Sequence, residues 1–551
     1  MPPRSLNGLK CRPDDVFATV IEVESLASVA RPANIPRLMQ HATPTPQQTR
    51  TFNQSRTILA LVWGLAGILG AAGCVVHRPP LFPLATLAES VGSTGTERYY
   101  DLNADGTADF AELLGANGRV AKLRWLGADR TVTREVDWPP QGASASRRRI
   151  LIIADSVPLE LVAQAWSGGR FRLFAPPSGI IAPFPVMTDL SLNDLFGCSP
   201  SAGVEAEYFD GVKLIAGWDT YFKETNSPWV EHIDARLPFS AHGDVYSHPL
   251  ESLDRELAII ADEIARKPGD SIGYVLATSA LGLQIGRDGH VAGLIRLDRF
   301  CLALAERLNG EVDITLLSDH GHVLEFGRRV PFDWKLRQMG YRVGSSLKRP
   351  EDVVLPEFGD ISCLALHSRS PQPLAGDVAS IGGVELSFYR EPTGDVIVQG
   401  PAGRARVTQH GTRYRYVCER GDPLLMQPTV DELRARGLVD ADGFIDDAVL
   451  WDATTTHEYP DALRRICRAF EDEVSHVPDV YASLQEGVAF ASPLLALFVN
   501  CRADHGSLRR RSTTGFIMST TGTLPPHLRM ENVQAVLRTQ NAWPHMHETR
   551  K

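Results

Sequence analysis

Four short stretches carry residue types that could do chemistry together. In "DITLLSDHGHVLEF" (Asp313 to Phe326) an apolar run stops at Ser318-Asp319-His320-Gly321, with His322 two positions on. An acid and an imidazole at the tip of a buried segment are costly unless a partner or a cation meets them. Asp155 ends "RRILIIAD", Thr188 lies in "PFPVMTDLSLNDLF", and His505 lies in "ADHGS" downstream of "LLALFVN". Two carboxylates, a hydroxyl and imidazoles suit Zn²⁺ or Mn²⁺ held beside a hydroxyl nucleophile. Singly, each residue has a plainer reading. Asp155 and Thr188 can both cap following helices, and His505 with "GSLRRR" can be a polar turn. His322 and His367 read as surface or hydrogen-bonded histidines, and Asp298, inside "LIRLDRFCL", as structural.

The elements that must position these residues alternate between strand and helix. "RRILIIAD", "SIGYVLATS" and "VDITLLSD" read as strands; "LESLDRELAIIADEIARK" (Leu250 to Lys267) and "GLIRLDRFCLALAERL" read as amphipathic helices. That rhythm predicts an α/β fold with a mostly parallel sheet and helices on both faces. In such sheets ligands collect beyond the carboxyl ends of the strands. From about Val384 the pattern changes to period-two runs between Gly and Pro turns, predicting a β-hairpin insertion over about 366–425. Helices return with "TVDELRARG" and "YPDALRRICRAFEDEV".

Taken in chain order, the strand-end aspartate, the Pro-rich stretch with its threonine, "SDHG" and "HGS" resemble the alkaline phosphatase superfamily. Within it they resemble the type I phosphodiesterase/nucleotide pyrophosphatase-like branch, over roughly residues 148–545. The resemblance implies a metal-dependent hydrolase of phosphate esters in which Thr188 attacks phosphorus and is transiently phosphorylated. It implies one ion held by Asp155, Thr188, Asp319 and His320, with His505 belonging to a second site. That second site also needs an Asp and, four residues later, a His. The aligned stretch "GYVLATSALGLQIGRDG" offers Ser279 and Leu283 instead. Asp288 or His290 could substitute, although the spacing does not require it. One ion is therefore expected and a second is doubtful. Three readings stay open: a one-ion hydrolase or transferase, a two-ion hydrolase with a replacement ligand, or a catalytically inactive binding lipoprotein of the same fold. A sulfatase is excluded, because "CSPSA" (Cys198 to Ala202) has Ala202 where the formylglycine motif requires arginine.

Ahead of this domain, Asp101, Asn103, Asp105, Thr107, Asp109 and Glu112 stand at positions one, three, five, seven, nine and twelve of a Ca²⁺-loop pattern, with Gly106 at six. The flank "NGRVAKLRWL" reads as a turn and strand, so the expectation is a lone structural calcium loop in a small β-rich segment spanning 77–147. In residues 56–76, Arg56 precedes an uncharged run from Thr57 to Val76 that carries "AAGC" at Cys74. This is the order of an export signal with a lipidation box, predicting an exported, membrane-anchored protein of the bacterial cell envelope or periplasm. An uncleaved anchor or a buried helix are the alternatives. Residues 1–55 are polar and Pro-rich and are expected to be disordered, or to reflect a start upstream of Met39.

The 551 residues allow a large core with additions, and 43% hydrophobic with 22% charged residues is a globular composition. A net charge of -10 argues against a nucleic-acid-binding surface. The eight cysteines include no C-x-x-C pair, which excludes a zinc knuckle and gives no sign of a disulfide framework.

Overall fold

The computed structural model describes residues 78–92, 95–140, 147–357, 359–492, 496 and 499–545. The export and lipidation segment with Cys74 lies outside them. Among the described residues no helix is long and apolar enough to cross a membrane.

Uninterrupted apolar strands need cover on both faces, and Ile150–Ala154 and Val312–Leu317 are buried throughout. They lie in a six-stranded sheet whose order is Ser271–Val275, Arg148–Ala154, Val312–Leu317, Thr514–Ser519, Ser178–Ile181, His527–Arg529. The first three strands are mutually parallel. Thr514–Ser519 runs against both of its neighbours, so Ser178–Ile181 points the same way as Val312–Leu317. His527–Arg529 is parallel to Ser178–Ile181, so five carboxyl ends and the start of Thr514–Ser519 share one edge of the sheet. Helices flank it. In Pro249–Arg266 the buried stripe Leu253, Leu257, Ile260 and Ile264 recurs at helical spacing. The sheet and its helices form one continuous apolar core.

The N-terminal segment is a five-stranded antiparallel meander from Ala88–Gly92 to Val132–Asp137. The expected calcium loop joins two of its strands, Gly95–Tyr100 and Phe110–Leu114. Glu112 therefore falls on a strand, paired across from Arg98. It is buried and accepts a hydrogen bond from the Tyr100 hydroxyl (2.7 Å), which in turn accepts one from Arg299 Nη1 (2.8 Å) on helix Arg287–Arg307. Glu112 thus ties the small sheet to the main domain and is not a loop ligand. The loop's other oxygens are turned onto its own backbone. Asp101 accepts from Gly106 N, Asn103 from Asp105 N, Asp105 from Thr107 N, and Asp109 from Leu102 N. Asp298, on the same helix, accepts from Phe171 N at 2.7 Å and faces Arg170 and Arg299, a structural role as read from sequence.

The β-rich insertion is larger than the hairpins of 366–425. A nine-stranded sheet runs from Arg342–Val343 through Arg413–Gly421 to Ile445–Asp446 and takes Val480–Leu484 into its middle. Strand alternation gives it a core on each face. Phe388, Val398 and Tyr481 pack on one side, and Tyr389, Ile397, Val480 and Ala482 on the other. Phe184, from the loop ahead of Thr188, enters the first of these cores, its ring 5.4 Å from Phe388 and 6.0 Å from Tyr481. The lobe thus grips the loop that carries the threonine. Phe184→Ala is expected to cost about 3–5 kcal/mol of stability as a core truncation, seen as a lowered unfolding transition in scanning calorimetry.

Candidate metal centre

Asp155, Asp319 and His320 each follow the end of a sheet strand, and the fold brings them together. One ligand atom from each lies within 4.8 Å of the others, the one such trio of acidic, imidazole or thiol side chains among the described residues. All three are buried. Thr188 completes the group, with its Oγ1 3.4 Å from His320 Nε2. The four residues, which the sequence placed beyond the ends of three separate strands, therefore converge.

Local structure explains the convergence. Ser156 adopts a left-handed backbone conformation (φ 59°), uncommon for a residue with a side chain. In that conformation its N–H donates to Asp319 Oδ1 (2.9 Å) and its hydroxyl donates to Asp155 Oδ1 (2.6 Å). The Tyr274 hydroxyl donates to the other oxygen of Asp155. Ser318 Oγ accepts from Val157 N (2.8 Å) and donates to the His320 carbonyl (2.6 Å), tying the two strand ends to each other. Gly321 is required by close approach, since a Cβ there would lie 2.3 Å from the Arg511 carbonyl oxygen. Thr188 opens the helix Thr188–Phe196, where the helix end favours negative charge. Its neighbour Asp189 is held from the other side by Ser227 Oγ (2.8 Å) and Trp229 Nε1 (2.7 Å).

The electrostatics are those of a site built for a cation. Burial raises Asp155 to about 7, and the adjacent Asp319 carboxylate adds to the rise. Burial raises Asp319 to about 6, offset by hydrogen bonds from Ser156 N and Thr188. Burial lowers His320, which favours the neutral ring that can ligate. Asp319 Oδ2 is buried with no hydrogen-bond partner; His320 Nε2 lies 3.3 Å from it. An orphaned carboxylate oxygen, a second carboxylate, a neutral imidazole and a hydroxyl form a donor set that fits Zn²⁺ or Mn²⁺.

His505 reaches the same edge without joining the trio. Its ring stacks on His320 at a centroid distance of 4.3 Å, and its Nδ1 bonds the Val186 carbonyl oxygen at 2.9 Å. The space beside it, where a second ion would need an Asp and a His, is filled by protein. Ser279 and Leu283 lie one turn apart on helix Ala277–Ile285. Ser279 Oγ lies 3.2 Å from Ser156 Oγ and can donate to it. His290 and His322, both buried, hydrogen-bond to each other (Nε2 to Nδ1, 3.1 Å) against Gly282. A Cβ on Gly282 would sit 2.5 Å from His290 Nε2 and 2.6 Å from His322 Nδ1. These residues do not fit a second dication, because no carboxylate is added to balance its charge. Sequence reasoning took His322 for a surface or hydrogen-bonded residue, and the second description holds. Tyr274 and Ser156 were not anticipated as neighbours of the site; sequence reasoning offers His290 as a replacement ligand, and the structure pairs it with His322 instead. His367 lies in the lobe against Phe209, 5.1 Å between ring centroids. Asp288 sits in the first turn of helix Arg287–Arg307 and is not part of the trio.

Fold and site together define an α/β protein with a buried acid–imidazole cluster at the carboxyl edge of its central sheet. No family model and no curated protein sequence matches the chain. Among solved structures it is similar to phosphonoacetate hydrolase from Sinorhizobium meliloti 1021 in complex with phosphonoacetate. The identity is 12%, the coverage 75% of this chain and 98% of that one, and the TM-score 0.40. It is also similar to human ectonucleotide pyrophosphatase/phosphodiesterase 5, at 11% identity, 73% and 97% coverage and TM-score 0.40. The inactive murine form of that protein in complex with AMP gives 12%, 73%, 97% and 0.39.

A dication entering the trio must displace the protons that burial holds on Asp155 up to about pH 7 and on Asp319 up to about pH 6. Burial lowers His320, so its ring competes for protons less than a free imidazole does. The rise in melting temperature on adding Zn²⁺ or Mn²⁺ to chelator-treated protein is therefore expected to be small near pH 5 and to grow through about pH 8. A gain independent of pH across that window would place the ion elsewhere.

Proposed function

We propose that this chain is a metal-dependent hydrolase of phosphate esters, a phosphodiesterase or phosphatase, working with a threonine nucleophile and one ion. The observation that carries the reading is the approach of the Thr188 hydroxyl to a fully buried Asp/Asp/His trio with an orphaned carboxylate oxygen. Asp155, Asp319 and His320 would hold the ion. When bound, it lowers the pKa of a neighbouring hydroxyl and polarises a phosphoryl oxygen.

The chain's own residues do the rest. Thr188 stands half-exposed at a helix start, so a phosphate group can reach it from solvent while the trio stays dry. Its hydroxyl gives its proton to water and its oxygen forms a bond to phosphorus as the bond to the departing oxygen breaks. The leaving group takes a proton from water, and a water molecule then cleaves the phosphothreonine. Asp319 accepts from Ser156 N, which fixes it beside His320, whose Nε2 lies 3.4 Å from the Thr188 hydroxyl oxygen. Tyr274 and Ser156 fix both oxygens of Asp155, which keeps that carboxylate from rotating away.

The filled second-ion position favours one further reading, a binding protein of this fold without turnover. Thr188→Ala separates the two. For the enzyme, hydrolysis of p-nitrophenyl phosphate mono- or diesters is expected to fall by at least about 10³-fold, with metal content near one ion per chain retained. A metal-loaded wild type that turns over no ester on a broad panel would leave the binding protein.

We also propose that the protein works at the bacterial cell envelope, anchored through a lipid on Cys74. This rests on the signal-like order of residues 56–76. Radiolabelled palmitate is expected to enter the wild type and to be absent from Cys74→Ser. Equal labelling of both would remove this assignment.

A further inference from the structure

Arg465 lies on helix Ala462–Ala469 of the β-rich lobe and is only 4% exposed. Its guanidinium leaves the lobe and ends between two loops of the main domain. Nη2 donates to the Pro183 carbonyl (3.2 Å) and to Thr513 Oγ1 (2.9 Å), and Nη1 donates to the carbonyls of Leu508 (3.2 Å) and Pro460 (3.1 Å). No carboxylate is among these partners. Asp461 is held by Arg529, and Glu473 faces Arg468. A buried cation resting on neutral acceptors is an expensive arrangement for stability alone.

What the guanidinium joins gives it a role. Pro183 and Leu508 belong to the approaches of Thr188 and His505. Those approaches are already laced together: Ala182 N donates to Thr513 O, Val186 N donates to Gly506 O, and His505 Nδ1 meets Val186 O. The lacing is thin between them, because Pro183 and Pro185 have no N–H to contribute. Arg465 supplies donors from outside at that point. A planar guanidinium with five N–H groups can hold several carbonyls in one fixed geometry, which an ammonium cannot.

We propose that Arg465 is a positioning residue that sets the spacing between the Thr188 loop and the His505 loop from within the β-rich lobe. The proposal rests on the reading of Thr188 as the nucleophile. It makes the lobe part of the catalytic geometry rather than an appended module.

The test uses the full chain carrying Arg465→Met or Arg465→Lys, with a p-nitrophenyl phosphodiester as probe and amide hydrogen exchange as a second readout. In the Met variant kcat is expected to fall about 10- to 100-fold with KM little changed. Metal content stays at the wild-type level, and exchange rises in the peptides covering residues 182–190 and 505–513. The Lys variant recovers part of kcat. Unchanged kcat and unchanged exchange in those peptides would overturn the proposal. So would a general loss of protection across the lobe in both variants, which is what a purely structural arginine produces. If the wild type hydrolyses no ester while exchange rises only in the two loops, the nucleophile reading falls and the loop-spacing role stands.

Discussion

Two carboxylates buried within reach of one another are the constraint around which this molecule is organised. Asp155 and Asp319 end neighbouring parallel strands, so the register of the sheet forces their side chains into the same dry space. Two adjacent charges in a low dielectric cannot both stay ionised without a counter-charge. No lysine or arginine is among the groups acting on either carboxylate. What is offered instead is a neutral imidazole, a hydroxyl and hydrogen bonds from Ser156 and Tyr274. Those orient the carboxylates but do not neutralise them, which leaves a dication as the natural complement.

The same constraint explains features that are otherwise odd. Ser156 accepts a left-handed backbone because only there can its N–H reach Asp319 while its hydroxyl reaches Asp155. Strain of about 1–3 kcal/mol of this kind persists only where the surroundings enforce it. Gly321 is a glycine because the chain must turn tightly against Arg511 as it leaves the sheet. Thr188 is steadied from several sides. Phe184 is gripped by the lobe, Asp189 by Trp229 and Ser227, and Asp194 by two 2.9 Å hydrogen bonds from Arg468.

Much of this was legible in the sequence, for a physical reason. A buried strand has a strong apolar signature, and a charged residue at its end stands out against it, so Asp155, Asp319 and His320 could be picked without coordinates. Thr188 was visible through its place in the ordered set. The lobe was legible only in part. Period-two runs marked the hairpins, but Val480–Leu484 joins their sheet from far down the chain, pairing with Cys363–Ser368 and Val384–Arg390, and a single sequence does not encode that pairing locally. Glu112 shows the opposite failure. The ligand spacing of a calcium loop was complete, but the spacing presumes a helix after the loop, and a strand turned position twelve into an interior contact with Tyr100. The Pro-rich and signal-like N-terminal segments were read from composition alone and lie outside the described residues.

The second-ion position deserves the same physical treatment as the first. Ser279 brings no charge and Leu283 no donor atom to this flank, and a buried polar pocket left open there would itself be unstable. The chain instead fills it. Gly282 lets the His290–His322 pair close on the helix, and both rings are pushed far toward the neutral form by burial, His290 to about 3. The two rings hydrogen-bond to each other, while His322 Nε2 is buried with no partner among the described residues. The site is therefore asymmetric, with two carboxylates on the Asp155 side and uncharged imidazoles on the Ser279 side. Any chemistry at Thr188 must draw its electrostatic help from one flank only.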